Sequence, residues 1–82
     1  MVKQTEVTGH DAVVDARNTF CPMPVIQAFQ AIKTLAVGKV LKVLATDPGS
    51  KADFPAWAES TGNHLLRHEE KDGTFTYWIQ KA

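Results

Sequence analysis

Residues 12–15 (Ala-Val-Val-Asp) form a short run of strand-favouring side chains that follows a polar stretch, and they predict a first strand. From 22 to about 36 the period changes. Val25, Phe29, Ile32 and Ala36 recur at i, i+4, i+7 and i+11 with Ile26 beside them, while Gln27, Gln30, Lys33 and Thr34 fall on the other side. That spacing predicts an amphipathic helix with Phe29 facing inward. Gly38 suits its stop, and residues 40–45 (Val-Leu-Lys-Val-Leu-Ala) are nearly all apolar, as in a buried central strand.

Asp47-Pro48-Gly49 reads as a turn. Ser50 followed three residues later by Asp53 resembles a capping box, so a second helix is expected from there to Gly62. Phe54, Trp57, Ala58 and Thr61 lie along one side of it, and Pro55 removes a backbone donor near its start. Residues 64–71 and 74–81 flank Asp72-Gly73, a strong hairpin signal. In the last strand Phe75, Tyr77 and Ile79 share one face, and Thr76, Trp78 and Gln80 the other. Trp78 is expected to be partly exposed there.

The element order is therefore βαβαββ. A βαβ unit is parallel with a right-handed crossover. The fold expected is an α+β two-layer sandwich, a mixed four-stranded sheet with two helices on one face. Residues 1–10 are polar and read as a flexible tail, and residues 11–82 as one domain.

Nine basic residues balance nine acidic ones among 82. The chain lacks the broad basic field of non-specific nucleic-acid binders, so no direct nucleic-acid partner is expected. The N-terminal residues hold no apolar run and the later ones are short, so a cytoplasmic protein without a membrane segment is expected. A chain of this size has room for one core and none for a deep cavity between domains. Its chemistry belongs at the surface, on one reactive group that a partner completes.

The one cysteine, Cys21, is that group. A single thiol forms no internal disulfide and cannot build a zinc site alone. His64 and His68 have the i, i+4 spacing of helical metal sites, but four residues along a strand span about 13 Å. Neither a metal nor a cofactor is expected.

Cys21-Pro22-Met23-Pro24 stands where the first helix begins. With Pro22 at the first helical position, Cys21 becomes the N-cap. The helix N-terminus favours a thiolate by about 0.3–1 kcal/mol, which makes the thiol moderately reactive. Pro24 has no N–H to offer, so Met23 is expected to supply the nearest backbone donor. Asp15 and Arg17 form either a surface pair or a device in which Arg17 favours the anion of Cys21. Asp47 reads first as a turn former, at a strand end where α/β sheets often hold ligands. Lys51 reads as solvated, the alternative being a role in steering an anionic sulfur.

The run Val14-Asp15-Ala16-Arg17-Asn18-Thr19-Phe20-Cys21-Pro22-Met23-Pro24 resembles the signature of the TusA/SirA-like sulfur carriers, aliphatic-Asp-x-Arg-Gly-x-x-Cys-Pro-x-Pro. Gly38, the Ala45-Thr46-Asp47-Pro48 strand end, Asp53-Phe54-Pro55 and the C-terminal hairpin match the same layout, so the resemblance spans residues 12–81. It implies a fold like the C-terminal domain of a bacterial translation initiation factor. It also implies sulfurtransferase-type chemistry in which Cys21 carries a persulfide sulfur between proteins. The donor would be a cysteine desulfurase or a rhodanese-like protein, and the acceptor a DsrE-like protein or similar. Family members serve tRNA thiolation, molybdenum cofactor assembly or the oxidation of reduced sulfur compounds.

Two positions depart from the signature. Asn18 replaces the usual Gly, and Asn still tolerates a left-handed turn. Gln27 and Gln30 stand where tRNA-pathway members often carry basic residues, which puts sulfur oxidation at least level with tRNA thiolation. A monomer is expected, with a weak dimer as the alternative. The rival readings are a non-catalytic binding or regulatory module on this fold, and a thiol redox sensor.

Overall fold

In a computed structural model, residues 11–20 and 22–82 are described; Cys21 and the tail over residues 1–10 lie outside the described residues. The elements run β1 (Ala12–Ala16), α1 (Met23–Ile32), β2 (Val40–Ala45), α2 (Ser50–Thr61), β3 (His64–Lys71) and β4 (Thr74–Gln80). The sheet order is β1-β2-β4-β3, with β1 parallel to β2 and both other pairings antiparallel. This is the α+β sandwich expected from the pattern.

Strand alternation decides which side carries the helices. Leu41, Val43 and Ala45 of β2 and Phe75, Tyr77 and Ile79 of β4 form one apolar face. Ala28 and Ile32 of α1 and Phe54 of α2 pack onto that face to make the core. α1 covers β1 and β2, and α2 covers β4 and β3. Phe54 stacks on Tyr77 at 4.5 Å between ring centroids and meets Trp57 edge-on.

The face of α1 agrees with the sequence expectation at Ile32 and at Val25, which packs against the core, but not at Phe29. Pro24, Ala28 and Ile32 are its buried positions, and Phe29 is 45% exposed with the Lys33 ammonium over its ring. Small Ala28 brings the helix backbone close to the sheet, and a Phe at its place would hold the layers apart. The helix also stops at Ile32, well before Ala36. Thr34 turns its amide and its hydroxyl onto the Ala31 carbonyl, and the Leu35 amide bonds to Ile32. These tighter turns carry the chain to Gly38, whose φ of +91° suits glycine.

Ser50 is no capping residue. Gly49 is the N-cap of α2, and the buried Ser50 hydroxyl meets the Tyr77 hydroxyl at 2.8 Å. Burial raises the Tyr77 pKa, and that hydrogen bond partly offsets the effect. Pro55 lies inside a continuous α2, which ends at a left-handed Gly62 as expected.

Trp78, expected to be partly exposed on the uncovered sheet face, is 4% exposed. Lys42 and Arg67, its neighbours on the flanking strands, lie over the indole and shield it. A register shift between Leu65 and Arg67 makes Leu66 a bulge. It changes the strand's alternation, so His64 pairs with Gln80 on the open face and His68 with Tyr77 on the helix-covered face.

Candidate functional site

The parallel pair β1–β2 sends two loops out of the same end of the sheet. Ala16 and Ala45 are register partners, so residues 17–22 leave β1 beside residues 46–49 leaving β2. Each loop leads into a helix. Cys21 belongs to the first loop by sequence, between Phe20 and Pro22, both exposed.

Pro22, not Cys21, is the N-cap of α1, and its carbonyl accepts the Ile26 amide at 3.0 Å. Cys21 therefore precedes the cap by one residue, and Pro24 takes the second helical position. The Met23 amide donates to the Phe20 carbonyl at 2.8 Å, so it is not the free donor expected near the thiol. This turn delays the helix by one residue and satisfies one of its first amides locally. Met23, Ile26 and Phe29, at i, i+3 and i+6, leave an exposed apolar stripe along α1 that continues into Phe20, itself 76% exposed. No acidic or basic residue occurs between Met23 and Ile32.

Asp15 and Arg17 form a bidentate pair. Nε donates to Oδ1 at 2.9 Å and Nη2 to Oδ2 at 2.8 Å, while the Arg17 amide adds a bond to Oδ1 at 3.1 Å. These bonds hold the Asp15 carboxyl well below the usual range, to about 2, and raise the Arg17 pKa. The two thus form a surface ion pair with both side chains about half exposed. A guanidinium already matched by a carboxylate gives a weaker field at a neighbouring thiolate.

Asn18 takes the left-handed conformation expected of it, with φ +66°. Its amide donates to Thr46 Oγ1 at 2.9 Å, and the Thr19 hydroxyl donates to the Ala16 carbonyl at 2.6 Å. Asp47 makes the turn: its Oδ1 accepts the Gly49 amide at 3.2 Å and its carbonyl the Ser50 amide at 3.0 Å. The Asn18–Thr46 bond thereby brings the Asp47 turn against the loop that carries Cys21.

Lys51 is directed elsewhere. Its ammonium lies 3.5 Å from the Glu70 carboxylate and over the Phe75 ring. Glu70 is on β3, three strand spacings or about 14 Å across the sheet from β1. An open cleft of about 360 Å³ beside Lys51, His68 and Tyr77 shares that side, and among the described residues its lining includes none of Pro22, Met23 and Pro24. Among the described residues no group of three or more His, Cys, Asp or Glu is placed to hold a metal ion. No described helix is long and apolar enough to cross a membrane.

Sequence reasoning passed over Thr46, which had one signal, its place between the central strand and Asp47-Pro48. Phe20 was expected only as the end of the Arg17-to-Phe20 loop that an acceptor would cover, and its exposure gives that loop an apolar end.

Comparison with known proteins places this geometry in a family. The family model described as Sulfurtransferase TusA matches residues 12–81. The sulfur carrier protein TusA of Pseudomonas putida (strain GB-1) is 46% identical over 71 residues, covering 87% of this chain and 89% of the relative. That of Allochromatium vinosum is 42% identical over 72 residues, covering 88% and 95%. The crystal structure of a SirA-like protein from Desulfitobacterium hafniense superposes with a TM-score of 0.75 at 30% identity, covering 85% of this chain and 96% of that one. The chain thus belongs to the TusA family of sulfur carrier proteins.

Proposed function

We propose that this chain carries sulfane sulfur on Cys21 and passes it from a donor protein to an acceptor protein. The observation that supports this most is the Cys-Pro-Met-Pro run, which stands between β1 and α1 in a chain that matches the family over residues 12–81. Loading begins when the Cys21 thiolate attacks the outer sulfur of a donor persulfide. The donor's S–S bond breaks, its thiolate leaves, and Cys21 becomes the persulfide. In unloading, an acceptor thiolate attacks that outer sulfur and the Cys21 thiolate departs. Both steps are redox-neutral.

Pro22, Met23 and Pro24 shape the helix start beside the thiol. The Asp15–Arg17 pair stiffens the chain as it leaves β1, and the Asp47 turn flanks it. Lys51 stands toward β3 and takes no direct part. The donor is a cysteine desulfurase or a rhodanese-like protein, and the acceptor is DsrE-like or similar. Either docks on Phe20, Met23 and Gln27, where the exposed stripe supplies apolar surface and a transient complex buries little area. The neutral surface of α1 favours a relay in the oxidation of reduced sulfur compounds over tRNA thiolation, and the chain works in the cytoplasm.

The test is intact mass. Incubated with polysulfide, the protein should gain the mass of one sulfur atom, which reductant removes. Cys21→Ser should gain none. An unchanged mass in the parent protein with several sulfur donors would refute the carrier reading.

A further inference from the structure

We propose that Thr46 is a positioning residue for sulfur transfer, its hydroxyl fixing the loop that presents Cys21. The inference rests on Cys21 being the carrier thiol. Among the described residues of that loop, the other polar bonds are local: Arg17 to Asp15, Thr19 to Ala16, and Met23 to Phe20. They shape the loop but tie it to nothing beyond β1 and α1. The bond from the Asn18 amide to Thr46 Oγ1 is different, because it crosses to the loop that leaves β2, 28 residues away in the chain.

Asn18 also holds the one left-handed turn of this loop among its described residues. An L-residue pays a conformational penalty there, and Asn pays less than most. An acceptor placed at its amide favours that turn over extended alternatives. Thr46 is well fixed to serve as that acceptor. It follows Ala45, a buried core residue, and precedes Asp47, whose carboxylate and carbonyl anchor the start of α2. A β-branched side chain between a packed strand and a hydrogen-bonded turn has few rotamers. The hydroxyl therefore refers the thiol loop to the rigid centre of the sheet. Thiol exchange needs the attacking thiolate to approach along the S–S axis, so orientation of the carrier sulfur enters the rate directly.

The experiment compares the full-length parent with Thr46→Val, which keeps the shape and loses the hydroxyl, and Thr46→Ser, which keeps the hydroxyl. Each is followed by iodoacetamide alkylation of Cys21 against pH. Each is then loaded with polysulfide, and the release of its sulfur to dithiothreitol is timed. Thr46→Val should release sulfur about fivefold more slowly, the size expected for one lost neutral hydrogen bond. Its alkylation midpoint should move toward that of a free thiol. Thr46→Ser should stay within about twofold of the parent, with the same alkylation profile. Matching rates and profiles in parent and Thr46→Val would overturn the proposal. If Thr46→Val does not fold, hydrogen exchange in the parent decides: an Asn18 amide protected well beyond its random-coil rate supports the anchor, and one exchanging at that rate overturns it. A parent that takes up no sulfur defeats the carrier reading instead, while its alkylation profile still tests Thr46.

Discussion

At the scale of single residues, the Asp15–Arg17 pair is held by two side-chain bonds and one backbone bond. Its depressed carboxyl pKa sets a sign. A carboxylate whose folded pKa lies below its unfolded value stabilises the fold above the unfolded value, near 3.9, and loses that contribution as the pH falls toward 2. Both side chains are solvated, so the effect belongs to local order more than to global stability. A carbon-13 NMR titration should find the Asp15 carboxyl still ionised at pH 3. In Arg17→Gln it should return to the ordinary carboxylate range. An Asp15 midpoint near 4 in the parent would mean the bidentate pair does not persist in solution. Asp-x-Arg beside a strand end was legible in the sequence as a pair, but its bidentate geometry was not, since that depends on how β1 turns at Ala16. The reach of Lys51 was illegible for a related reason. It depends on where β3 brings Glu70, and neighbours along the chain carry no record of that.

Among the elements, α1 divides the legible from the illegible most sharply. Its existence followed from period and proline placement. Its face followed only in part: Ile32 was expected inward and is buried, and Val25 packs against the core, but Phe29 was also placed inward and Ala28 was not picked out. Alanine is too small to declare itself as a core residue by hydrophobicity, and close packing onto a sheet is what selects it. The two positions make opposite predictions. Ala28→Leu, inserted against the sheet, should cost ~1–3 kcal/mol by overpacking. Phe29→Ser, at the rim, should cost under about 1 kcal/mol. Denaturant melts of both variants measure this, and a larger loss from Phe29→Ser would restore the inward Phe29 that periodicity suggested. The start of α2 was misjudged in a similar way. Ser-x-x-Asp has the composition of a capping box, but a Tyr77 hydroxyl from across the fold claims the Ser50 side chain.

For the whole molecule, the layer order was readable because alternation in β4, the apolar β2 and the Asp72-Gly73 turn all agreed. What escaped was the treatment of the uncovered sheet face, where Trp78 lies beneath Lys42 and Arg67. The α1 stripe with Phe20 is the exposed apolar surface that adjoins Cys21 in the sequence. Sulfur transfer from the loaded chain to an acceptor protein should therefore change less than about twofold between 50 and 300 mM salt, since no charge on α1 between Met23 and Ile32 is available to be screened. Gln27→Glu should slow that transfer, and Trp78→Ala, if folded, should not. The reverse pattern would move docking to the open sheet face. The bulge at Leu66 bears on another scale of behaviour. β3 is an edge strand, and an edge invites the matching strand of an identical molecule. A strand kinked at Leu66 and carrying Arg67, Glu69, Glu70 and Lys71 is a poor template for such growth. A carrier passed between a donor and an acceptor protein can thus stand at high concentration without seeding fibrils of itself.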